Sequence, residues 1–271
     1  LTFQSKTFFI QESDHVVPGF HRSFPATEEP RRDGAADTQP RRRQEHAQRA
    51  DDIEHATAEY AHAARLAVEA GFDGVELHAA NGYLLEQFLS ANVNTRNDAY
   101  GGSADQRNCF VLEAARATVA AIGVDRVGIR VSPYGVFNGT GAFDGVEDQY
   151  LALARELGAL KLAYLRLVDH SSLGAPEVPA AFKARLRTAF GGTFIASGGL
   201  DRHRAEQLLK DGRGDLVAFG RAWLANQDLI ERMKAGLPLN APDPSTFYTP
   251  GEKGYTDYPR AETAAEAAAT A

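Results

Sequence analysis

The sequence predicts an α/β fold of the (β/α)8 TIM-barrel type. Apolar strand-like runs alternate with helical periodicity from residue 51 onward, and polar residues collect at the C-terminal ends of those runs. Short, continuously apolar strands separated by helices point to a parallel sheet covered by helices, because a strand buried on both faces shows no polar alternation. A doubly wound sheet shares this alternation. The barrel is favoured because no G-x-G-x-x-G opens a helix after a first strand, and because a barrel assembles its site from the C-terminal ends of several strands. Only about five of the eight βα units are recognisable.

The units follow in order. Ile53, Ala56, Tyr60, Ala63, Ala64 and Ala67 recur at steps of three and four, Gly71 ends that helix, and residues 72–78 form a short apolar strand. Phe110, Val111, Ala114, Ala117 and Ala121 mark the next helix, followed by Gly123 and a strand over 127–132. Tyr150, Leu151, Ala154 and Leu157 precede Gly158 and a strand over 162–168. A helical stretch at 180–189 leads to a strand at 194–197, and Ala205, Leu208 and Leu209 lead to a last strand at 216–219.

Residues 1–50 differ in character. Phe3, Thr7, Phe8 and Phe9 are strand-like, but the stretch from 21 to 50 has paired and tripled arginines, prolines and few large apolar residues, so it reads as an irregular, partly disordered segment. Arg41, Arg42 and Arg43 read as a solvated charge run, with a nucleic-acid contact or interaction tail as the alternative. Residues 51–260 carry the partial barrel, and 261–271 form an alanine-rich tail.

Composition narrows the partners. The 271 residues are 44% hydrophobic and 24% charged, with a formal charge of −7 and a pI near 5.6, which gives no general attraction to nucleic acid or acidic membranes. Cys109 is the single cysteine, so no internal disulfide can form. Nothing resembles a signal peptide or an apolar membrane span, and the expected location is the cytoplasm.

Two constellations carry chemistry. Gly198-Gly199 and Gly220-Arg221 follow the last two strands, where barrels build phosphate sites from backbone N–H groups and where a guanidinium offers a forked donor. Strand-end glycines also occur simply as turns. His78 and Asn81 stand three apart with Tyr83 two further on, so two donors can meet one acceptor oxygen beside a phenol that can deliver a proton. A structural histidine is the competing reading at His78. Metal ligation is disfavoured, because Glu76 shares its strand face but no further ligand stands nearby at suitable spacing.

The stretches GFDGVELHAANGYLLEQFLSANVNTRNDAYGGS, VGIRVSP, AYLRLVDHSS, FIASGG, DLVAFGRAWLANQDLIERMKAGLPLNAPDPSTFY and GYTDYP resemble, in order and spacing, the old yellow enzyme family. The resemblance covers residues 51–260 and is nearest to the ene-reductases related to N-ethylmaleimide reductase and glycerol trinitrate reductase. It implies an FMN-dependent oxidoreductase that reduces α,β-unsaturated carbonyl or nitro compounds with NADPH or NADH. It further implies that His78 and Asn81 bind the substrate oxygen, that Tyr83 donates the proton, and that Arg130 lies beside the flavin. Gly198, Gly199, Gly220 and Arg221 would hold the FMN phosphate, and Phe247 and Tyr248 would line the pocket rim.

Departures accompany the resemblance. The family carries three further βα units, about 90 residues at about 30 each, before the helix that begins near Asp51. A sheet lacking them has open edges and invites self-association. Cys109 occupies a position where the family usually has an arginine. Two alternatives therefore stand beside the reductase: a non-catalytic remnant or interaction protein, and a barrel isomerase or lyase acting on a phosphorylated substrate.

Overall fold

The computed structural model describes residues 7–10 and 50–261. The Arg41–Arg43 run and residues 262–271 of the alanine-rich tail lie outside the described residues. Among the described residues, six parallel strands form one sheet in the order β1-β2-β3-β4-β5-β6. They are β1 (Thr7–Ile10), β2 (Gly74–Ala79), β3 (Val127–Val131), β4 (Tyr164–Val168), β5 (Phe194–Ser197) and β6 (Leu216–Ala218). The order never reverses, so no topological switch point divides the sheet. This is the winding of a barrel rather than of a doubly wound sheet. The strand-like residues near the start of the chain supply β1, so the sheet has one strand more than the five expected. No helix among the described residues is long and apolar enough to cross a membrane.

Helices cover the outer face of the sheet. The long ones are α1 (Ala50–Glu69), α3 (Ala104–Ile122), α4 (Val146–Ala159), α5 (Ala180–Phe190) and α6 (Arg202–Lys210), with the short α2 (Leu84–Leu89), α7 (Arg221–Leu224) and α8 (Leu229–Ala235) between and after them. Local signals set their ends. Ser103 caps α3 in a reciprocal pair with Gln106, and Gly123 closes it with a positive φ. The 3-to-4 spacing in α1 buries Ile53, Tyr60, Ala64 and Ala67, and the edge of the Tyr60 ring meets Phe110 of α3. Leu77, Ile129 and Leu165 are register neighbours on the helix-facing side of the sheet, each almost wholly buried. Each such side chain contributes roughly 1.5–3 kcal/mol through burial.

The other face of the same strands is polar. Glu76, Gly128 and Tyr164 stand in one register row, and His78, Arg130 and Arg166 in the row above it. Any side chain at Gly128 would collide with the ring of Tyr164, so glycine there lets the phenol lie across β3 and hydrogen-bond Glu76. Arg166 forms an ion pair with Glu76. At the C-terminal end, Arg232 is buried, pairs with Asp228 at 2.8 Å, and donates to the carbonyls of Pro238 and Pro259 at 2.6 and 2.7 Å. These bonds pin the segment that carries Phe247 and Tyr248.

Candidate active site

The site is built where β2, β3 and β4 end. After Ala79 the chain leaves β2 and turns through Asn81 and Gly82, both with positive φ (59° and 69°), before Tyr83 becomes the N-cap of α2. Two consecutive left-handed residues make a tight turn that aims the Asn81 side chain back over the strand ends. Neighbours hold the turn. The Asn81 N–H donates to Ser132 Oγ at 2.9 Å, the Gly82 N–H donates to Glu86 Oε2 at 2.5 Å, and Ser132 Oγ donates to Glu86 Oε1 at 2.7 Å. Asn138 donates to the Asn81 carbonyl at 3.0 Å. The Tyr83 and His78 rings lie 5.2 Å apart between centroids.

Asn81 is fixed at its amide as well. Its Oδ1 lies 2.8 Å from His170 Nε2 and 3.5 Å from Arg130 Nη2. A guanidinium only donates, so this end of the amide is the oxygen and His170 must carry its hydrogen on Nε2. The Asn81 NH2 group is thereby turned to the opposite side. The His170 ring is itself held edge-on to Phe137, with 4.9 Å between centroids.

Burial and positive charge set the protonation states. Burial first, and then Arg130, Arg166 and His170, lower the His78 pKa from 6.5 to about 3, so the imidazole is neutral at ordinary pH. Burial, followed by Arg166, lowers Arg130 to about 10, with Glu76 and Glu86 working against the shift, so it remains a cation. Burial and Arg130 lower His170, while Asp169 opposes them. Burial raises Glu86 to about 7 against the pull of its hydrogen bonds and Arg130. Glu76 is likewise raised by burial, opposed first by Arg166.

His78 Nδ1 and Arg130 Nε are buried and have no hydrogen-bond partner among the described residues. Buried polar atoms are rarely left in that state, so they mark where a polar ligand fits. With two guanidiniums close by, the environment favours an electron-rich or anionic one.

A second group gathers at the ends of β5 and β6. Gly198 has φ 118°, and a Cβ there would fall on the carbonyl oxygen of Asp169; a Cβ on Gly199 would come within 2.6 Å of Ser172 Cβ. A Cβ on Gly220 would meet nothing within 4 Å, so its backbone faces open space. Arg221 is exposed, and its Nη2 is 3.4 Å from Ser172 Oγ. Asp169 accepts from the Ser171 N–H at 2.9 Å and pairs with Lys183 at 2.6 Å, which fixes the loop carrying Ser172.

Contacts thus bring together His78, Asn81, Tyr83 and Arg130, and the ends of β5 and β6 gather Gly198, Gly199, Gly220 and Arg221. Phe247 and Tyr248 sit on the pinned C-terminal segment. Phe247 is half-buried, and Tyr248 is 95% exposed with φ 64° and its N–H bonded to Tyr255 Oη at 2.8 Å. Sequence reasoning missed His170, Ser132 and Glu86 as members of the site. His170 was visible only as a strand-end polar residue. Glu86 had a clearer signal, because an acidic residue three positions into a helix often reaches back to the residues that open it.

Comparison with known proteins agrees with this architecture. Residues 21–240 match the NADH:flavin oxidoreductase / NADH oxidase family. Over 217 residues the chain is 44% identical to 12-oxophytodienoate reductase 1 of Oryza sativa subsp. japonica, a match covering 78% of this chain and 56% of that protein. Over 206 residues it is 43% identical to 12-oxophytodienoate reductase 2 of Arabidopsis thaliana, covering 75% and 55%. Among solved structures, morphinone reductase superposes with a TM-score of 0.75 and 42% identity, covering 79% of this chain and 57% of that one. A second morphinone reductase structure, in complex with tetrahydroNAD, gives a TM-score of 0.74 at 42% identity, with the same coverage of 79% and 57%. The chain spans little more than half the length of these relatives. The chain belongs to the NADH:flavin oxidoreductase / NADH oxidase family.

Proposed function

We propose that this chain carries the substrate end and the phosphate end of an FMN-dependent reductase that acts on alkenes activated by a carbonyl or nitro group, with NADPH or NADH as reductant. One observation carries the reading: neutral His78 and the oriented Asn81 amide stand together beside Tyr83 and the Arg130 cation at the strand ends. The relatives named 12-oxophytodienoate reductase and morphinone reductase lend it support.

The residues present fit FMN. The phosphate would be held by Arg221 with the backbone of Gly198, Gly199 and Gly220, whose surroundings are open at Gly220. Arg130 would lie against the polar edge of the ring system and use its unpartnered Nε. When bound, FMN supplies hydride transfer between the nicotinamide and the alkene. His78 and the Asn81 NH2 donate to the substrate oxygen, holding the alkene in place and stabilising the negative charge that grows on that oxygen. A neutral imidazole suits this task because it donates without protonating the substrate outright. Tyr83 delivers a proton to the alkene carbon next to the activating group. Phe247 and Tyr248 close the rim of the pocket. The cytoplasm, where reduced nicotinamides are generated, is the proposed location.

The test is the visible spectrum of the purified chain with FMN added, followed by anaerobic NADPH and then an activated alkene. Retained flavin that bleaches with NADPH and recovers colour with the alkene supports the reading. A chain that takes up no FMN and consumes no alkene overturns it. A second reading, a non-catalytic protein that associates through its sheet edges, is favoured by β6, where Leu216 is half exposed at the edge of the described sheet. A concentration-dependent increase in mass without flavin uptake would support that second reading.

A further inference from the structure

We infer that Glu86 is a positioning residue for the His78, Asn81 and Tyr83 constellation, acting through the backbone of the turn that carries it. The inference rests on the proposed function for its consequence, but on the geometry of the turn for its basis.

Glu86 is only 2% exposed, and its carboxylate is enclosed with the Gly82 N–H and the Ser132 and Tyr150 hydroxyls around it. Burying an acid is unfavourable unless its oxygens are satisfied. Both are, and the donors are specific. Oε2 takes the N–H of Gly82, and Oε1 takes the hydroxyl of Ser132, whose oxygen in turn accepts the N–H of Asn81. One carboxylate therefore secures, directly and through one hydroxyl, the two consecutive amides whose positive φ values create the turn. Beyond Ala79 the chain leaves the strand ladder; a backbone bond from the Tyr83 N–H to the Ala80 carbonyl at 3.3 Å closes the turn, and the bonds to Glu86 and Ser132 take up the Asn81 and Gly82 N–H groups. Tyr83 begins α2 with no side-chain cap, and Glu86, at the third position of that helix, reaches back to the residue before the cap. The substrate-facing amide and the phenol are thus carried at opposite ends of a turn whose two N–H groups share one carboxylate, directly and through Ser132.

That carboxylate is titratable. The groups facing it are the Arg130 guanidinium from β3, the Tyr150 phenol from α4 at 3.4 Å, and Ser132. Tyr150 is held neutral by burial, and Arg130 stays charged through the neutral range. The ionised carboxylate accepts from the Gly82 N–H and from the Ser132 and Tyr150 hydroxyls, whereas the acid must turn one oxygen into a donor and release one of them. Burial places the change near pH 7.

The experiment uses the full chain with FMN added, observed by amide proton–nitrogen NMR from pH 4 to 9, alongside alkene-reduction kinetics over the same range. The expected result is that the Gly82 and Asn81 amide resonances move together with one inflection near neutrality. In Glu86→Gln, which keeps the shape, the inflection disappears, and kcat/KM for the alkene falls on the order of tenfold to a hundredfold and loses its neutral limb. FMN retention is unchanged. Ser132→Ala removes the inflection from Asn81 while leaving it on Gly82, which tests the relay without touching the carboxylate. A Gly82 amide that shows no inflection, or a Glu86→Gln variant with wild-type kinetics and pH profile, overturns the inference. If the amides titrate as expected but the wild-type chain reduces no alkene, the assignment of Glu86 to the turn stands and the reductase reading fails.

Discussion

The Nε2 of His170 lies 2.8 Å from the Oδ1 of Asn81, and the Arg130 guanidinium approaches the same oxygen. In the proposed reading, this contact decides which end of the amide meets the substrate. Without His170 the amide could rotate and present its oxygen, an acceptor, to a substrate oxygen that needs a donor. The expected result for His170→Ala is a rise of about tenfold in the alkene KM, equivalent to about 1.4 kcal/mol, with FMN content unchanged. Steady-state kinetics with a flavin stoichiometry on the same samples checks it. An unaltered KM would mean that Arg130 alone orients the amide.

His78 makes a prediction about acid. Its folded pKa of about 3 lies below the ordinary 6.5, so between these values the unfolded chain binds the proton that the folded chain refuses. Stability therefore falls as pH drops from 6.5 toward 3. Glu86 works in the opposite sense. Its folded value of about 7 exceeds the ordinary 4.5, so its contribution to stability grows as pH falls from 7 to 4.5. The two slopes oppose each other above pH 4.5, and only that of His78 continues below it. The stability difference between wild type and His78→Asn, from urea unfolding at pH 4.5 and 3.5, should shift against the wild type by on the order of 1 kcal/mol. A difference that stays constant with pH would show that His78 titrates near its ordinary value in the fold.

Tyr83 offers a cleaner substitution than most site residues. Its hydroxyl caps no helix, because Tyr83 opens α2 without a side-chain bond. Tyr83→Phe should therefore leave the melting temperature and the FMN content unchanged, while alkene reduction slows by a factor on the order of a hundred. The reduction of flavin by NADPH, measured separately, should be unaffected. Unchanged alkene turnover would remove Tyr83 from the role of proton donor.

How far the sequence could be read depended on the kind of signal. The parallel sheet was legible because Leu77, Ile129 and Leu165 sit in uninterrupted apolar runs, and the periodic burial of Ile53, Tyr60 and Ala64 matched α1. The strand at 194–197 coincides with β5. The helix α2 was missed because six residues are too few to show a period. Thr7–Ile10 had strand-like residues but no adjoining βα pattern, and its place in the sheet depends on a register with Gly74–Leu77 that no local signal encodes. The site followed the same division. His78, Asn81 and Tyr83 are neighbours in sequence and stood out together; Glu86 is as local but lies on the helix too short to show a period, whereas Ser132 and His170 join them only because β2, β3 and β4 end side by side. Glu76, considered as a ligand, is occupied by Arg166 and Tyr164, a pairing across three strands that spacing alone could not reveal.

The glycines at the ends of β5 and β6 look alike in sequence, and the structure separates them. Gly198 is demanded by packing, since its φ is 118° and a methyl group would fall on the Asp169 carbonyl. Gly198→Ala should destabilise the chain by about 2–3 kcal/mol or more, because both the backbone conformation and the space are lost. Gly220 has an ordinary negative φ and open space where a Cβ would stand. Gly220→Ala should therefore alter stability by no more than about 0.5 kcal/mol. If the phosphate of FMN approaches this backbone, the same methyl group obstructs it, and FMN affinity falls although the fold does not. Arg221→Ala supplies the matching test, because an exposed guanidinium at 3.4 Å from Ser172 Oγ contributes little to the fold but a forked donor to a phosphate. Urea unfolding and FMN titration of the three variants give the discriminating pattern. Loss of stability in Gly198→Ala alone, with FMN affinity lowered about tenfold in Gly220→Ala and Arg221→Ala, places the phosphate at the end of β6. Wild-type FMN affinity in both of the latter variants would move the phosphate away from that strand end.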